Sequence, residues 1–228
     1  MRTALHSDGF VLARTNYGEY DRILTILTKD CGKVRAMAKG VRKERSKLAG
    51  GIELFCSSNY GFIESRGDLA VLVASRLNKF YGHLTSDINR VNYAYAVLKK
   101  INKITEQRVD ASYYDLTSDL FEALDDLEIS LEFIELWWLV SLVNLTGHTI
   151  NVIKPIDAEV FSADQNYAFI GELGGFKTLP DGLYGADHIK FIKVASANRP
   201  KTLSRVKGGR QIANDLIPTI RSFVEYVH

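Results

Sequence analysis

Cysteine is scarce in this chain: only Cys31 and Cys56 occur among 228 residues. Two thiols cannot build a disulfide framework, and they fall short of a four-cysteine zinc site. The five histidines, His6, His83, His148, His188 and His228, are scattered and lack the close spacing of a metal pair. Neither the G-x-x-x-x-G-K-S/T loop that cradles phosphates in ATPases nor a G-x-S-x-G nucleophile elbow is present. Long apolar runs are missing too. The longest, near Phe133–Leu145, is too short for a membrane span and has Glu132 and Glu135 at its start. The first ten residues, MRTALHSDGF, lack the apolar core of a signal peptide. These absences lead to the expectation of a cytoplasmic, non-membrane protein with reduced thiols and no cofactor. Cys31 lies between Lys29 and Lys33, which is expected to favour its thiolate. A thiol nucleophile also needs a base, however, and none is identifiable, so an enzyme is the weaker class. The pair Asp125-Asp126 is read as helix-surface charge rather than a cation site, because hard cations want six or more oxygens converging in a loop.

What the chain does have is an ordinary globular composition, 46% hydrophobic and 25% charged, which argues against disorder. Its charge is segregated. Residues 1–48 hold 11 Lys/Arg and 5 Asp/Glu, a balance of +6, against −4 for the remainder. Val109–Glu135 contains nine acids and no base, and Ile189–Ala213 contains seven bases and no acid. Such asymmetry between segments points to macromolecular partners more than to a small substrate.

The densest charge lies in Gly32–Leu48, GKVRAMAKGVRKERSKL. Lys33, Arg35, Lys39, Arg42, Lys43, Arg45 and Lys47 give seven cations in fifteen residues, opposed only by Glu44. An anionic polymer suits this stripe, since each cation placed on a phosphate releases condensed counterions. An acidic protein tail and a membrane surface are the other anionic possibilities. Tyr17, Tyr20, Phe55, Tyr60 and Phe62 accompany the stripe. Phe55 and Phe62 read as core, whereas Tyr17, Tyr20 and Tyr60 suit either the core or stacking on unpaired bases.

Five strands are expected before Asn78: Phe10–Ala13, Arg22–Thr28, Lys33–Ala38, Ile52–Ile63 and Leu69–Ser75. Five short strands in this length suffice for a small closed barrel. Alternation in Lys33–Ala38 puts the cations on one face and Val34 on the other. Beyond Asn78 the pattern turns helical. Ile88, Val91, Tyr95, Leu98 and Ile101 form one stripe. Leu116, Leu120, Leu124 and Leu127 form another, with Asp115 or Thr117 as its cap. Leu131–Leu145, apolar nearly all round, reads as a central bundle helix ended by Gly147. Val160-Phe161 and Tyr167–Ile170 read as strands of a small hairpin within 151–183. A last helix carries Ile212, Leu216, Ile220, Phe223 and Val227, with Pro218 kinking it or marking its start. The fold class is therefore α+β, with residues 1–78 as a β-domain and 79–228 as a helical domain with an inserted hairpin.

The blocks Gly9-Phe10-Val11-Leu12, Tyr17-Gly18-Glu19-Tyr20-Asp21-Arg22-Ile23-Leu24, Gly32-Lys33-Val34 and Ala38-Lys39-Gly40-Val41-Arg42 resemble the N-terminal domain of the RecO family of bacterial recombination mediators. Leu145-Thr146-Gly147-His148, Glu172-Leu173-Gly174-Gly175-Phe176 and Phe223-Val224-Glu225-Tyr226 are similar to later family segments. The resemblance implies an OB-fold followed by a helical domain. It implies binding of single- and double-stranded DNA, strand annealing, and recombinase loading on DNA covered by single-strand-binding protein. The implied partners are a RecR-type ring and the acidic C-terminal tail of single-strand-binding protein. Many members carry four cysteines around the hairpin as a zinc site, yet residues 151–183 contain none. A metal-free hairpin held by Phe161, Tyr167, Phe169 and Phe176 is expected instead.

Phosphate contacts are accordingly expected from Lys33, Arg35, Lys39, Arg42, Lys43, Arg45 and Lys47, with Arg14 and Arg22 as lesser candidates. A possible second basic patch comprises Lys190, Lys193, Lys201, Arg205, Lys207 and Arg210. It either extends the DNA track or receives the acidic tail, with Phe191 or Ile192 offering an apolar pocket. The alternative class is a protein-interaction scaffold that binds acidic peptides and no nucleic acid.

Overall fold

A computed structural model describes residues 4–65, 69–105 and 110–228. Five strands open the chain: β1 (Leu5–Tyr17), β2 (Asp21–Thr28), β3 (Gly32–Ala38), β4 (Cys56–Ile63) and β5 (Ala70–Phe80). They close into a barrel in the order β1-β2-β3-β5-β4, with β1 also pairing β4. All pairings are antiparallel except β3 with β5, where Ala36 faces Ala70 and Met37 faces Val71. This is the OB-fold topology. β1 can serve two partners because its register shifts between Val11 and Ala13, a bulge that bends the strand. Its first half then runs along β4, from Leu5 opposite Phe62 to Phe10 opposite Ser57. Alternation sends Leu24, Ile26, Ala36, Tyr60, Phe62 and Leu72 into the barrel core. Tyr60, left open by the sequence, is a core residue whose hydroxyl donates to Gly51 O at 2.9 Å. Burial pushes that hydroxyl's pKa up.

Within the barrel, the sequence pattern errs at the start of β4. Ile52–Leu54 is not extended, because Phe55 takes a left-handed backbone, φ 61°, and β4 starts only after it. Ile52 is nonetheless buried in the core.

The sheet ends at Phe80, near the expected Asn78 boundary, but contacts divide the chain later, into Met1–Asp125 and Asp126–His228. Helices α1 (Ile88–Ile104) and α2 (Ala111–Asp125) thus belong to the barrel's unit. An aromatic cluster outside the barrel core joins them: Phe10 of β1 stacks on Phe121 of α2 at 5.3 Å between centroids, and Tyr81 and Tyr114 complete it. Asp87 caps α1 by accepting from Asn89 N at 2.8 Å. The buried face of α1 is Arg90, Ala94, Val97, Leu98 and Ile101, whereas Ile88 and Tyr95 are exposed. The stripe shifts because Arg90, a charged residue, is turned inward. Its guanidinium donates to Leu124 O at 2.8 Å, at the carbonyl-rich end of α2. The start of α2 is capped by Asp110, which accepts from Ser112 N at 2.9 Å, rather than by Asp115 or Thr117. Leu127 lies beyond its end and is exposed.

The second unit is built on α3 (Leu131–Leu145), buried nearly all round, including Trp137 and Trp138. Gly147, at φ +81°, ends it, with His148 N donating to Val143 O. Around α3 pack α4 (Ala186–Ala197), the short α5 (Pro200–Leu203) and α6 (Gly209–Val227). Pro218 lies inside α6 rather than at its start. It faces solvent, so water can take the backbone carbonyl that lacks a donor. The hairpin pairs β6 (Tyr167–Ile170) with β7 (Gly175–Thr178). Val160-Phe161 is not a strand; the Phe161 ring instead meets Tyr167 and Phe176 edge-on, and Phe169 meets Phe176 and Phe223. Phe191 and Ile192 are core residues of this unit, not an exposed pocket.

Replacing the fully buried Phe121 by Ala empties the joint between barrel and helices. The variant is expected to lose about 3–5 kcal/mol in urea denaturation. A loss below about 1 kcal/mol would show that α2 is not integral to the barrel's unit.

Candidate nucleic-acid interface

Two connections meet at one rim of the barrel. The first is the β1–β2 turn, Tyr17-Gly18-Glu19-Tyr20, where Gly18 supplies the left-handed residue at φ +60°. The second is the basic connection from Lys39 to Leu48 that follows β3. Asp21 joins them: its carboxylate accepts from Gly40 N at 2.7 Å, and Arg42 N donates to Tyr20 O at 2.9 Å. Gly40 turns the chain at φ +62°, and Val41 then drops into the barrel core, 4% exposed. The far end is tied where Ser75 Oγ donates to Leu48 O at 2.9 Å. Between these anchors Arg42, Lys43, Arg45 and Lys47 are all exposed. The Lys43 ammonium stands 5.3 Å from the centroid of the Tyr20 ring, within cation–π range. A hydrogen bond with Glu19 lifts the Tyr20 hydroxyl above its ordinary pKa range.

Register sorts the remaining candidates. Leu24 and Ala36 pair and point inward, so their neighbours Thr25 with Arg35, and Ile23 with Met37, point outward. Tyr17 opposite Asp21, and Thr15 opposite Ile23, continue that outer face onto β1. Arg35 and Lys39 are both exposed, Arg35 on the outer face of β3 and Lys39 just past its end. Among the described residues, Arg35, Lys39, Arg42, Lys43, Arg45 and Lys47 make no ion pair with a carboxylate.

Three candidates are used elsewhere. Lys33, on the outer face but at the opposite end of β3, donates to Asn102 O at 2.9 Å and to Thr105 O, satisfying the carbonyl end of α1. Arg14 and Arg22 lie on the inner alternation at the barrel mouth. Arg14 bonds Glu53 at 2.5 Å; Arg22 donates to Asn16 Oδ1 at 3.1 Å and lies 4.0 Å from Glu53. The partner residues Asp21 and Glu53 escaped sequence reasoning. Asp21 sits inside the Tyr-Gly-Glu-Tyr-Asp-Arg block and was legible there; Glu53 has no local signal. The aromatics divide as well: Tyr17 and Tyr20 are exposed at this rim, whereas Phe55, Tyr60 and Phe62 are buried.

The six cations of the second basic segment do not form one open patch. Lys190 pairs with Asp187 at 3.1 Å, Lys201 with Asp126 and Glu128 at 3.0 and 3.3 Å, and Arg210 with Glu132 at 2.9 Å. Lys193, Arg205 and Lys207 are exposed, with no described carboxylate partner. The acidic stretch around α3 thus neutralises much of this segment within the second unit itself.

Comparison with known proteins bears on the same domain. The family model described as "Recombination protein O N terminal" matches residues 1–80, which is the barrel. The barrel is similar to the N-terminal domain of the RecO family. Proteins named "DNA repair protein RecO" are similar to this chain. That of Moorella thermoacetica is 36% identical over 126 residues, covering 55% of this chain and 47% of the relative. That of Alkaliphilus metalliredigens is 31% identical over 144 residues, covering 63% and 58%. That of Dehalococcoides mccartyi is 25% identical over 225 residues, covering 95% and 88%. The chain thus spans about half the length of the first two of these RecO proteins.

Cys31 departs from expectation. Partial burial and the neighbouring Asp30 raise its thiol pKa, outweighing a hydrogen bond from Thr28 that lowers it. The flanking lysines point away: Lys33 to α1, and Lys29 toward the Tyr114 ring at 5.9 Å. A raised pKa leaves less thiolate at neutral pH. Alkylation of Cys31 by iodoacetamide at pH 7.5 is therefore expected to be slower than that of free cysteine, measured by mass spectrometry. A faster reaction would mean an activated thiol.

Proposed function

We propose that this chain is a RecO-type, non-catalytic DNA-binding mediator of recombinational repair, and that its rim of cations without carboxylate partners holds DNA by the phosphate backbone. Six exposed cations gathered on two adjoining surfaces, none bound to a carboxylate of the described chain, support this reading above any other observation. Closely placed free cations have no internal counter-charge to displace, so a polyanion gains the full counterion release. The contacts go to phosphates and carry no base-edge pattern, which suits a protein that must act on any sequence.

Annealing follows from the same electrostatics. A surface that neutralises two strands at once lowers their mutual repulsion and leaves their bases free to pair. Delivery of a recombinase to strands covered by single-strand-binding protein further requires contact with that protein's acidic tail and with a RecR-type ring. For the tail, Lys193, Arg205 and Lys207 are the available cations of the second basic segment.

Single-strand binding through about five phosphate contacts has a salt slope near −3.5 in a log–log plot. Neutralising Arg42, Lys43, Arg45 and Lys47 together should make it shallower by about 2.8, at roughly 0.7 per contact. Arg14→Gln and Lys33→Met, which remove cations already engaged within the fold, should leave the slope at the wild-type value. Fluorescence anisotropy with a labelled oligonucleotide over a salt series measures all three. Wild-type affinity in the fourfold variant would refute the reading. Binding of an acidic peptide that DNA fails to displace would favour a protein-interaction scaffold instead.

A second test concerns the joining of strands. Pairing of complementary oligonucleotides, one of them coated with single-strand-binding protein, should be accelerated by the wild-type chain and not by the fourfold variant. Equal acceleration by both would remove the rim from the annealing step.

A further inference from the structure

Phosphate contacts alone do not favour a single strand over a duplex, whose backbone carries the denser charge. The rim holds one feature that does. Tyr17 closes β1 on its outer face, opposite Asp21, and its ring is 56% exposed. No hydrogen bond, ring contact or cation–π partner engages that side chain among the described residues. Its neighbour Tyr20 differs: the Lys43 ammonium lies over its ring, and its carbonyl receives Arg42 N. An open aromatic face therefore sits beside a clamped one, on the same turn that positions Arg42 and Lys43.

Apolar side chains continue the outer face behind Tyr17. Ile23 and Met37 are paired across β2 and β3, only partly buried, and are followed by the exposed Arg35. Aromatic ring, apolar patch and cation thus succeed one another along β1–β2–β3. The turn is also stiff for an exposed loop, because Asp21 and Tyr20 O both bond the basic connection. With the backbone of the turn fixed, stacking of a base on Tyr17 has only the ring's own rotamer freedom to restrict.

We infer that Tyr17 is a specificity-determining residue that stacks on an unpaired base, so that the rim prefers DNA with exposed bases over duplex. This rests on the DNA-binding reading above and names its substrate class. A duplex keeps its base faces inside the stack and gains nothing from the ring, whereas a single strand offers a π-face at every nucleotide. The stacking contribution adds to the phosphate contribution and is independent of salt.

Tyr17→Ala in the full chain should weaken binding of a single-stranded oligonucleotide roughly 5- to 150-fold. Affinity for a duplex of the same length, and the salt slopes on both, should remain at wild-type values. Tyr17→Phe should keep single-strand affinity, since the ring and not the hydroxyl is needed. Tyr17→Trp should keep it and add emission that single strands quench and duplex does not. Tyr226→Ala, an exposed ring outside the barrel, controls for non-specific loss of surface aromatics. Equal weakening on both DNA forms, or no weakening, overturns the inference even when the wild-type chain binds DNA well. Failure of the wild-type chain to bind either form overturns the DNA-binding reading itself, and this inference with it.

Discussion

One buried side chain decides where the basic connection goes. Val41 lies in the barrel core, between the glycine turn at Gly40 and the four exposed cations that follow. Burying a valine contributes about 1.5–3 kcal/mol, more than an exposed charged loop can supply for its own ordering. With Val41 anchored, the Asp21–Gly40 hydrogen bond and the Arg42–Tyr20 backbone bond follow from proximity. The cations are thereby presented at a fixed rim beside the β1–β2 turn. Without the anchor, the same residues would be a mobile basic segment, whose charges would lose more entropy on meeting a polymer.

The fold also spends cations on itself, and which ones it spends shapes the site. Lys33 and Arg90 each serve the carbonyl-rich end of a helix, Lys33 for α1 and Arg90 for α2. Arg14 and Arg22 gather around Glu53. In the second unit, carboxylates hold Lys201 and Arg210. After these pairings, the outer β2–β3 surface and the connection beyond it retain the free positive charge of the candidate site. Salt screens exposed pairs and free charges alike, but only the free ones offer a phosphate a place without first releasing a carboxylate.

In the proposed reading, a barrel that joins a fixed cationic rim to an uncovered aromatic ring suits sequence-independent handling of strands. Cations hold the backbone of any DNA, and a ring answers to unstacked bases whatever their identity. The helices α1 and α2 matter to this indirectly, by covering the opposite end of the barrel through Phe10, Tyr81, Tyr114 and Phe121 and leaving the rim open. No helix among the described residues is long and apolar enough to cross a membrane.

The five strands, the central helix α3 and the density of charge in Lys33–Lys47 were legible in the chain alone, because alternation, an all-round apolar run and local composition are properties of neighbouring residues. Misreadings occurred where burial, a backbone turn or a distant group overrode the local pattern. The face of α1 shifts because Arg90 reaches α2, Cys31 is governed by burial and Asp30 rather than by its lysines, and Ile52–Leu54 leaves the sheet at a left-handed Phe55. The amino-acid order determined that cations would alternate outward along β3 and crowd the connection after it, since a strand's period and a run of charges need no partner to be read. Tertiary structure decided which of them stay free, since whether a lysine meets water, a helix end or a carboxylate depends on groups brought near only when the barrel closes.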